Sequence, residues 1–435
     1  MLRAISKMLK MAEIRRKILF TLSLLLVFRL GTFIPVPFTN AKVLEEMLNI
    51  QDQTNILGML NAFGGGALQK FSIFAVGITP YITASIIVQL LQMDVVPKFT
   101  EWAKQGEMGR KKLAQFTRYF TIILAFIQAL GISIGLNHMT GKQLILTPVW
   151  NTYLLISIVF TAGTAFLIWL GEKITEKGIG NGVSILIFSG LVAEIPNMIK
   201  SIYLKELYMA GDQLFINIVK IVSIGLVMLA ILLGAIYVQE AIRKIPIQYA
   251  KNGMRSTYYQ GRAHTHLPLK VNSAGVIPVI FASAFLMLPQ TIKTIAPDAT
   301  LSKWLSTNLN FTHPIGMTLY VGLIIAFTYF YAFMQVNPEQ MAENLKKQNA
   351  YIPSVRPGEE TANYLTKILY RLTCVGAIFL GTISMLPMVV LQTVPEFAQM
   401  GGTSLLIIIG VALEIKKTID SHIVRRYHKG FIQNI

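Results

Sequence analysis

The sequence contains few charged residues and a single cysteine for its length. Of its 435 residues, 14% are charged and 53% are hydrophobic, whereas soluble domains average roughly 25% charged residues. Together with a mean hydropathy of +0.55, this composition excludes a soluble globular domain and predicts an integral membrane protein. Cys374 is the only cysteine, so one chain can form neither a disulfide nor a cysteine-based metal site.

Motifs of nucleotide, metal and catalytic sites are also missing. The stretch 135–143 approaches a phosphate-binding loop, but its spacing is wrong and no Ser or Thr follows Lys142. His264 and His266 have no cysteine or acidic ligand nearby, which favours a solvated pair over a metal site. We therefore expect no cofactor, no metal and no catalytic residue, so that the energy for any transport comes from a partner.

Ten apolar runs are long enough to cross a bilayer, which takes roughly 20 helical residues. They lie at about 18–38, 71–93, 116–136, 152–170, 183–203, 215–238, 272–293, 315–336, 368–390 and 401–418. The stretches between them are too short to fold as separate domains. These runs predict an all-α integral membrane protein with ten transmembrane helices.

Lysine and arginine are concentrated in alternate connecting segments. The net charge is +18, and the basic segments are the first 17 residues, 98–112, 239–272, 337–367 and the tail from 416 to 429. The other connections hold only scattered lysines. This positive-inside bias predicts that both termini and the basic segments face the cytoplasm. The charge alone leaves open an acidic partner or ribosomal RNA, and we expect no direct DNA binding.

The second apolar run is interrupted where a spanning helix would continue. The stretch 61–93 contains Gly64, Gly65 and Gly66, and Pro80 follows within its apolar part. Unpaired backbone groups are costly in hydrocarbon, so broken helices persist only where protein or a water-filled cavity surrounds them. This run is therefore predicted to line a cavity or path through the membrane.

The two halves of the sequence repeat each other. The stretch 77–82 parallels 275–280, and 181–187 parallels 401–407. These matches pair the second run with the seventh and the fifth with the tenth. Because five spans separate the partners, the second half enters the membrane inverted, an arrangement whose interface usually holds the transport path.

Branched apolar residues in the repeated runs fall on one helix face. Ile78, Ile82 and Ile86 have the i, i+4, i+8 spacing of a single face. Their counterparts in the other repeated runs are Val276, Ile280, Ile187 and Ile407. Spacing alone favours ordinary core or lipid-facing positions. Because these residues lie in the interrupted, repeated runs, a pore lining becomes an equal alternative.

Three classes of membrane protein are compatible with inverted repeats: a passive protein channel, an ion-coupled transporter and an intramembrane enzyme. Coupled transporters keep carboxylates inside the bilayer, and the sequence places no acidic residue well inside a span. An enzyme needs a nucleophile–base pair or a metal motif, and no convincing one is present. The passive channel is therefore favoured, with an ion-coupled multispan transporter as the alternative.

Long motifs over essentially the whole chain resemble the SecY family, the central channel subunits of the bacterial Sec protein translocase, and Bacillus-type members most. The motifs lie at 29–37 (RLGTFIPVP), 64–93, 102–119, 169–185, 265–282, 327–365 and 401–414. The resemblance implies a passive protein-conducting channel of the cytoplasmic membrane, not an enzyme. Such a channel moves unfolded secretory polypeptides across the membrane and releases membrane-protein helices laterally into lipid.

The resemblance also implies pore and gate residues. An apolar pore ring corresponds to Ile78, Ile82, Ile187, Ile280 and Ile407. A short plug helix at about 61–71 corresponds to Asn61, Phe63, Gly64, Gly65, Gly66, Ala67 and Leu68. A lateral gate between the second and seventh spans corresponds to Thr83, Ile86, Ile87, Gln89, Asn272 and Val276. Any polar residue among these could instead satisfy a local backbone group.

The basic loops 239–272 and 337–367 resemble docking surfaces for the SecA ATPase or the ribosome. The implied docking residues are Lys251, Arg255, Arg262 and Arg356. Arg356 is the strongest of them, because an exposed arginine in a Pro-Gly turn suits bidentate contacts. The stretch 252–264 is the poorest match to the family.

The implied organisation is a first half, 1–205, with spans one to five and the plug, and a second half, 206–435, with the two large loops. The implied partners are SecE, SecG, SecA, the ribosome, signal sequences and preproteins, all in contact with the phospholipid bilayer or its cytoplasmic side. Because the halves are joined by one short connection, we expect a hinge near 194–213 and opening of the seam between the second and seventh spans.

Overall fold

The computed structural model describes residues 11–40, 42–44, 61–92, 96–141, 143–204, 214–249, 265–295, 308, 313–390 and 402–432. Its helices in the first half are α1 (Ala12–Gly31), α2 (Thr79–Leu91), α3 (Pro97–Lys104), α4 (Glu107–Met139), α5 (Trp150–Lys177) and α6 (Gly182–Ile202). Those in the second half are α7 (Leu214–Glu240), α8 (Ile277–Ile295), α9 (Pro314–Gln335), α10 (Pro338–Lys347), α11 (Glu359–Val390) and α12 (Gly402–Ile432).

A helix overlaps each of the ten apolar runs in the described part of the chain. Among the described residues, α4, α5, α7, α9 and α11 are long and apolar enough to cross a membrane. Helices α2, α6 and α8 are also apolar but contain shorter continuous stretches. The architecture is therefore helical and multi-pass, as the composition predicts.

Helix α2 is too short to cross a bilayer by itself. Its 13 residues extend about 20 Å, against a hydrocarbon thickness of about 30 Å. The preceding chain from 64 to 78 runs in turns and contains Gly65, Gly66 and Gly77 at φ values of 65°, 82° and 63°. These left-handed conformations favour glycine, which has no Cβ. The predicted interruption of this span is confirmed.

The plug is less helical than expected. Of the predicted helix at 61–71, only residues 61–63 are helical in the structure. The positive φ angles of Gly65 and Gly66 end the helix, since a right-handed helix cannot continue through them. The plug segment is therefore a turn-rich stretch that leads into α2.

The sequence repeat is also a structural repeat. Gly77 and Gly275 have nearly equal positive φ angles of 63° and 67°. In both cases the helix begins two residues later, and Pro80 and Pro278 occupy its second position. Proline is tolerated there because the first turn needs no N–H donor. Helices α6 and α12 likewise begin at the matching glycines, Gly182 and Gly402.

The halves meet along two sets of helix contacts. Helix α8 packs against α2 and α4 of the first half, whereas α12 packs against α6. Within the second half, α9 packs between α8 and α11. One cluster of buried apolar residues joins α2, α5, α6, α8, α9 and α12 at the centre. This central cluster is where the candidate pore lies.

The two large basic loops form one small unit. Strand β1 (Ile242–Tyr249) pairs antiparallel with β2 (Thr265–Lys270), and also with β3 (Ala350–Tyr351) from the other loop. Ile245, Leu269 and Ile352 are buried together with Leu365 of α11. The sequence suggested two separate loops; the described parts of both pair in one sheet and share one apolar cluster.

Candidate functional site

The five isoleucines of the proposed pore ring are buried in the central cluster. Ile78, Ile82, Ile187, Ile280 and Ile407 are all at most 6% exposed. Ile82 and Ile280 are the fourth residues of α2 and α8, and Ile187 and Ile407 are the sixth residues of α6 and α12. The candidate ring residues therefore come from equivalent points near the starts of four helices.

The plug segment packs against the same cluster. Phe63 and Ala67 are buried with the ring residues, together with the neighbouring Ala62. Leu68 is fully buried in a second apolar cluster, which includes residues of α4 and α5. The segment therefore fills the space between the ring and the first-half helices, and no part of it needs to be helical to do so.

Helices α1 and α6 hold the plug backbone from two directions. The Arg29 guanidinium donates from Nη1 to the Gly65 carbonyl oxygen at 2.6 Å. A Cβ atom on Gly190 of α6 would lie 2.7 Å from the Phe63 carbonyl oxygen, so this close approach depends on glycine. Asn61 Oδ1 accepts from the Gln69 amide at 2.9 Å, which closes the segment on itself.

Glu194 is an acidic residue beside the plug that sequence reasoning missed. A Cβ atom on Gly66 would lie 2.7 Å from its Oε1, and the Asn197 amide donates to its Oε2 at 3.5 Å. Glu194 lies about two turns before the end of α6. The expectation that no acidic residue lies well inside a span stays a prediction, because Glu194 is half-buried and lies toward the end of its helix. No local sequence pattern links Glu194 to Gly66, because 128 positions separate the two residues.

Two of the three polar gate candidates bond to their own local backbone. Thr83 donates from Oγ1 to the Thr79 carbonyl oxygen at 3.1 Å, one turn earlier in α2. The Asn272 side chain donates to the Gly275 carbonyl oxygen and accepts from the Gly275 amide, both at 3.0 Å. Neither bond crosses the seam, in agreement with the alternative raised for these residues.

Gln89 is the polar gate candidate that reaches across the seam. Its Oε1 accepts a hydrogen bond from the hydroxyl of Tyr331 in α9. Ile86 and Val276, also predicted gate residues, are buried in the central cluster, while Ile87 is half-buried. Sequence reasoning missed Tyr331 because it considered only the second and seventh spans.

Arg356 lies exposed on the unit formed by the two basic loops. It precedes Pro357 and Gly358, and Thr361 donates from Oγ1 to its carbonyl oxygen at 2.7 Å. Gly358 has a φ of 112°, so the turn before α11 fixes the backbone that carries the arginine. The other predicted docking residues, Lys251, Arg255 and Arg262, lie outside the described residues.

Together, the fold and this site define a class of protein: a multi-pass helical membrane protein of two repeated halves that share a central cluster of buried apolar residues. The family model described as SecY matches residues 72–416. The chain is 59% identical to the protein translocase subunit SecY of Bacillus licheniformis and 58% identical to that of Bacillus subtilis, with both chains covered completely. The Staphylococcus aureus subunit is 49% identical, with 99% of each chain covered. The chain belongs to the SecY family.

Solved channel structures have the same fold at low sequence identity. A protein-conducting channel matches with a TM-score of 0.63 and 17% identity, over 97% of this chain and 95% of that one. A SecY structure concerned with the plug domain and the closed state gives 0.65 and 18%, with the same coverage. Sec61 in a canine ribosome–channel complex gives 0.60 and 17%, again with the same coverage. These comparisons give no support to the transporter alternative.

Proposed function

We propose that this chain forms the pore through which unfolded secretory polypeptides cross the cytoplasmic membrane and from which membrane-protein helices leave laterally. The observation that supports the proposal is that five isoleucines from the starts of four repeated helices are buried in one apolar cluster, which also contains Phe63 and Ala67 of the plug segment. The chain has no catalytic role in this proposal, because a partner supplies the energy.

The isoleucine ring would seal the channel by excluding water. A narrow apolar constriction dewets, and ions cannot pass without water. Branched aliphatic side chains have no fixed binding geometry, so they can part around an extended polypeptide of any sequence. The plug residues that pack against the ring would reinforce this seal until a substrate displaces them.

Lateral release would use the seam between α2 and α8. The two halves, 1–205 and 206–435, would rock apart about a hinge near 194–213, of which 205–213 lies outside the described residues. Opening would separate α8 from α2 and α4, while the contact between α6 and α12 stays near the hinge. A seam of this kind is mechanically weak, so a clamping subunit such as SecE is expected, with SecG as a further partner.

Docking of a motor would use the basic loop unit. The bias of lysine and arginine supports a cytoplasmic position for this unit and for both termini. SecA or a translating ribosome would then approach the exposed face that carries Arg356, and would deliver preproteins with their signal sequences. Because strands from both loops share one sheet, the docking force would act on a single rigid body.

Transport by reconstituted vesicles tests the channel proposal. A variant with cysteines at Ile87 of α2 and Phe281 of α8, one on each side of the proposed seam, is reconstituted with SecE, SecG and SecA in a Cys374→Ser background. The reduced protein should import an unfolded preprotein when ATP is present and should show no solute counterflow. The oxidised, crosslinked protein should no longer import the preprotein, and reduction of the disulfide should restore import. Import through a confirmed crosslink would exclude lateral opening, and solute counterflow without import would exclude the channel.

Arg356→Glu tests the docking proposal separately. Reversing the charge should impair SecA-driven import severely, because charge-assisted hydrogen bonds are lost. The residue is exposed, so folding should be unaffected. Arg356→Lys is the matched control: it keeps the charge and loses the planar fork, and should give an intermediate rate. Normal import by Arg356→Glu would remove this residue from the docking surface.

A further inference from the structure

A hydrogen bond joins the two halves at a point that the pore and plug do not include. The Tyr331 hydroxyl of α9 donates to Gln89 Oε1 of α2, across a sequence separation of 242 residues. Tyr331 is 7% exposed and belongs to the central cluster. The bond is part-buried and joins the faces of α2 and α9.

The tyrosine is held in place from the α8 side. Its ring packs edge-on against Phe281, the residue after the ring isoleucine of α8, with centroids 5.1 Å apart and planes at 70°. Phe281 in turn contacts Phe327 of α9, at 6.0 Å and 87°. Edge-to-face contacts of this kind fix the ring orientation. The aromatic group therefore joins α8 to α9 through ring contacts.

The glutamine is oriented from the α2 side. Gln89 Nε2 donates to Ser85 Oγ, one turn earlier in the same helix, at 3.0 Å. This bond uses the amide donor and turns the carbonyl oxygen of the side chain toward Tyr331. Each end of the cross-seam bond is thus positioned by its own helix before the bond forms, which lowers the entropic cost of making it.

We propose that Tyr331 is a positioning residue that ties α2 to the α8–α9 pair and sets how strong a signal sequence must be to open the seam. This inference rests on the proposed lateral gate. Any opening that separates α2 from α8 has to break the Tyr331–Gln89 bond, and a closed state stabilised by that bond selects against weak signals. Losing one hydrogen bond of ordinary net strength, about 1 kcal/mol, should raise the open population about fivefold.

Tyr331→Phe tests the role of the Tyr331–Gln89 bond, since it keeps the aromatic ring against Phe281 and removes only the hydroxyl. The measured quantity is the import of a preprotein with a weakened signal sequence, divided by import of the same preprotein with an intact one. This ratio should rise about fivefold. Tyr329→Phe is the matched control: it lies in the same helix, its ring contacts Tyr370 at 5.1 Å, and it should leave the ratio unchanged.

A double-mutant cycle separates the tie from general loosening. Gln89→Met should raise the ratio as much as Tyr331→Phe, and the double variant should rise no further, because both remove the same bond. An unchanged ratio in Tyr331→Phe, or additive effects in the double variant, would overturn the proposed role of the Tyr331–Gln89 bond. Suppose that either of these results is obtained. If the Ile87–Phe281 crosslink still blocks import, the proposed lateral gate is retained and only the role of the Tyr331–Gln89 bond is excluded. If the crosslinked protein imports, the lateral gate itself is excluded.

Discussion

The two interruptions, before α2 and before α8, have the same backbone conformation but different surroundings. Gly77 and Gly275 have φ angles within a few degrees of each other, and each is followed by a helix with proline at its second position. Gly77 is packed into the first half, whereas a Cβ atom on Gly275 would meet nothing within 4 Å. Equal local geometry therefore coexists with unequal support from the surroundings.

Helix α5 supplies the support of the first interruption. Thr164 donates from Oγ1 to the Gly77 carbonyl oxygen at 3.1 Å, and a Cβ atom on Gly163 would lie 2.0 Å from the Ile73 carbonyl oxygen. The second interruption is held mainly by the side chain of Asn272, three residues earlier. We therefore expect α2 to stay fixed to its half and α8 to be the element that moves in the proposed opening of the seam.

The largest expected effect is the loss of stability when Gly163 of α5, which packs against the first interruption, is replaced. Gly163→Ala would force its Cβ against the backbone oxygen of Ile73, which cannot move without displacing the whole segment. We expect a loss of about 3 kcal/mol in the free energy of unfolding, the upper range for overpacking. Thermal unfolding of the purified complex in detergent measures it.

Gly410→Ala is the matched variant at the second interruption. Its Cβ would lie 2.4 Å from Val276 Cγ1, a side-chain atom that can rotate away, so the loss should be smaller. Adding Val276→Ala should recover most of it by making room. Equal losses for Gly163→Ala and Gly410→Ala, with no recovery, would show that the two interruptions are supported alike.

The next largest effect is expected in the ring, where the two halves contribute equivalent residues. Ile82→Asn and Ile407→Asn each place an amide in a cluster that is otherwise apolar, and a dewetted constriction needs a continuous apolar wall. Both should raise single-channel ion conductance and relax the demand for a strong signal sequence. Ile82→Val and Ile407→Val, which keep the wall apolar, serve as controls. Unchanged conductance in both Asn variants would return these residues to ordinary core packing.

Much of this arrangement could be predicted from the sequence, because glycine and proline act locally. The interruption before Thr79 and the pairing of Gly77 with Gly275 depend on neighbouring residues and are visible as motifs. The partner of Gln89 lies 242 residues away, and no local pattern identifies it. Residue type alone also could not show that Thr83 bonds within its own helix.

The arginine that holds the plug should have a smaller effect, confined to the first half. Arg29→Gln removes the charge-assisted bond to Gly65 O, and hydrogen bonds to charged groups contribute about 1.5–3 kcal/mol. The plug should leave its site at least tenfold more often, seen as brief ion-conducting openings in planar bilayers. Arg29→Lys retains a charged donor, so its frequency of openings should fall between those of the unmodified channel and of Arg29→Gln. Openings as rare as in the unmodified channel would mean that packing against α6 alone holds the plug.

The smallest expected effects come from removing the side-chain hydrogen bonds that hold each interruption, and they test most directly which of the two helices moves. Thr164→Val and Asn272→Ala each remove hydrogen bonds to one interruption, worth about 1 kcal/mol by ordinary strength. If α2 is fixed and α8 is mobile, Thr164→Val should lower thermal stability without changing the import ratio of weak to strong signals. Asn272→Ala should raise that ratio a few-fold, because the start of α8 loses its own support. The reverse pattern would make α2 the moving element, since the variant that alters signal selection marks the helix that shifts when the seam opens.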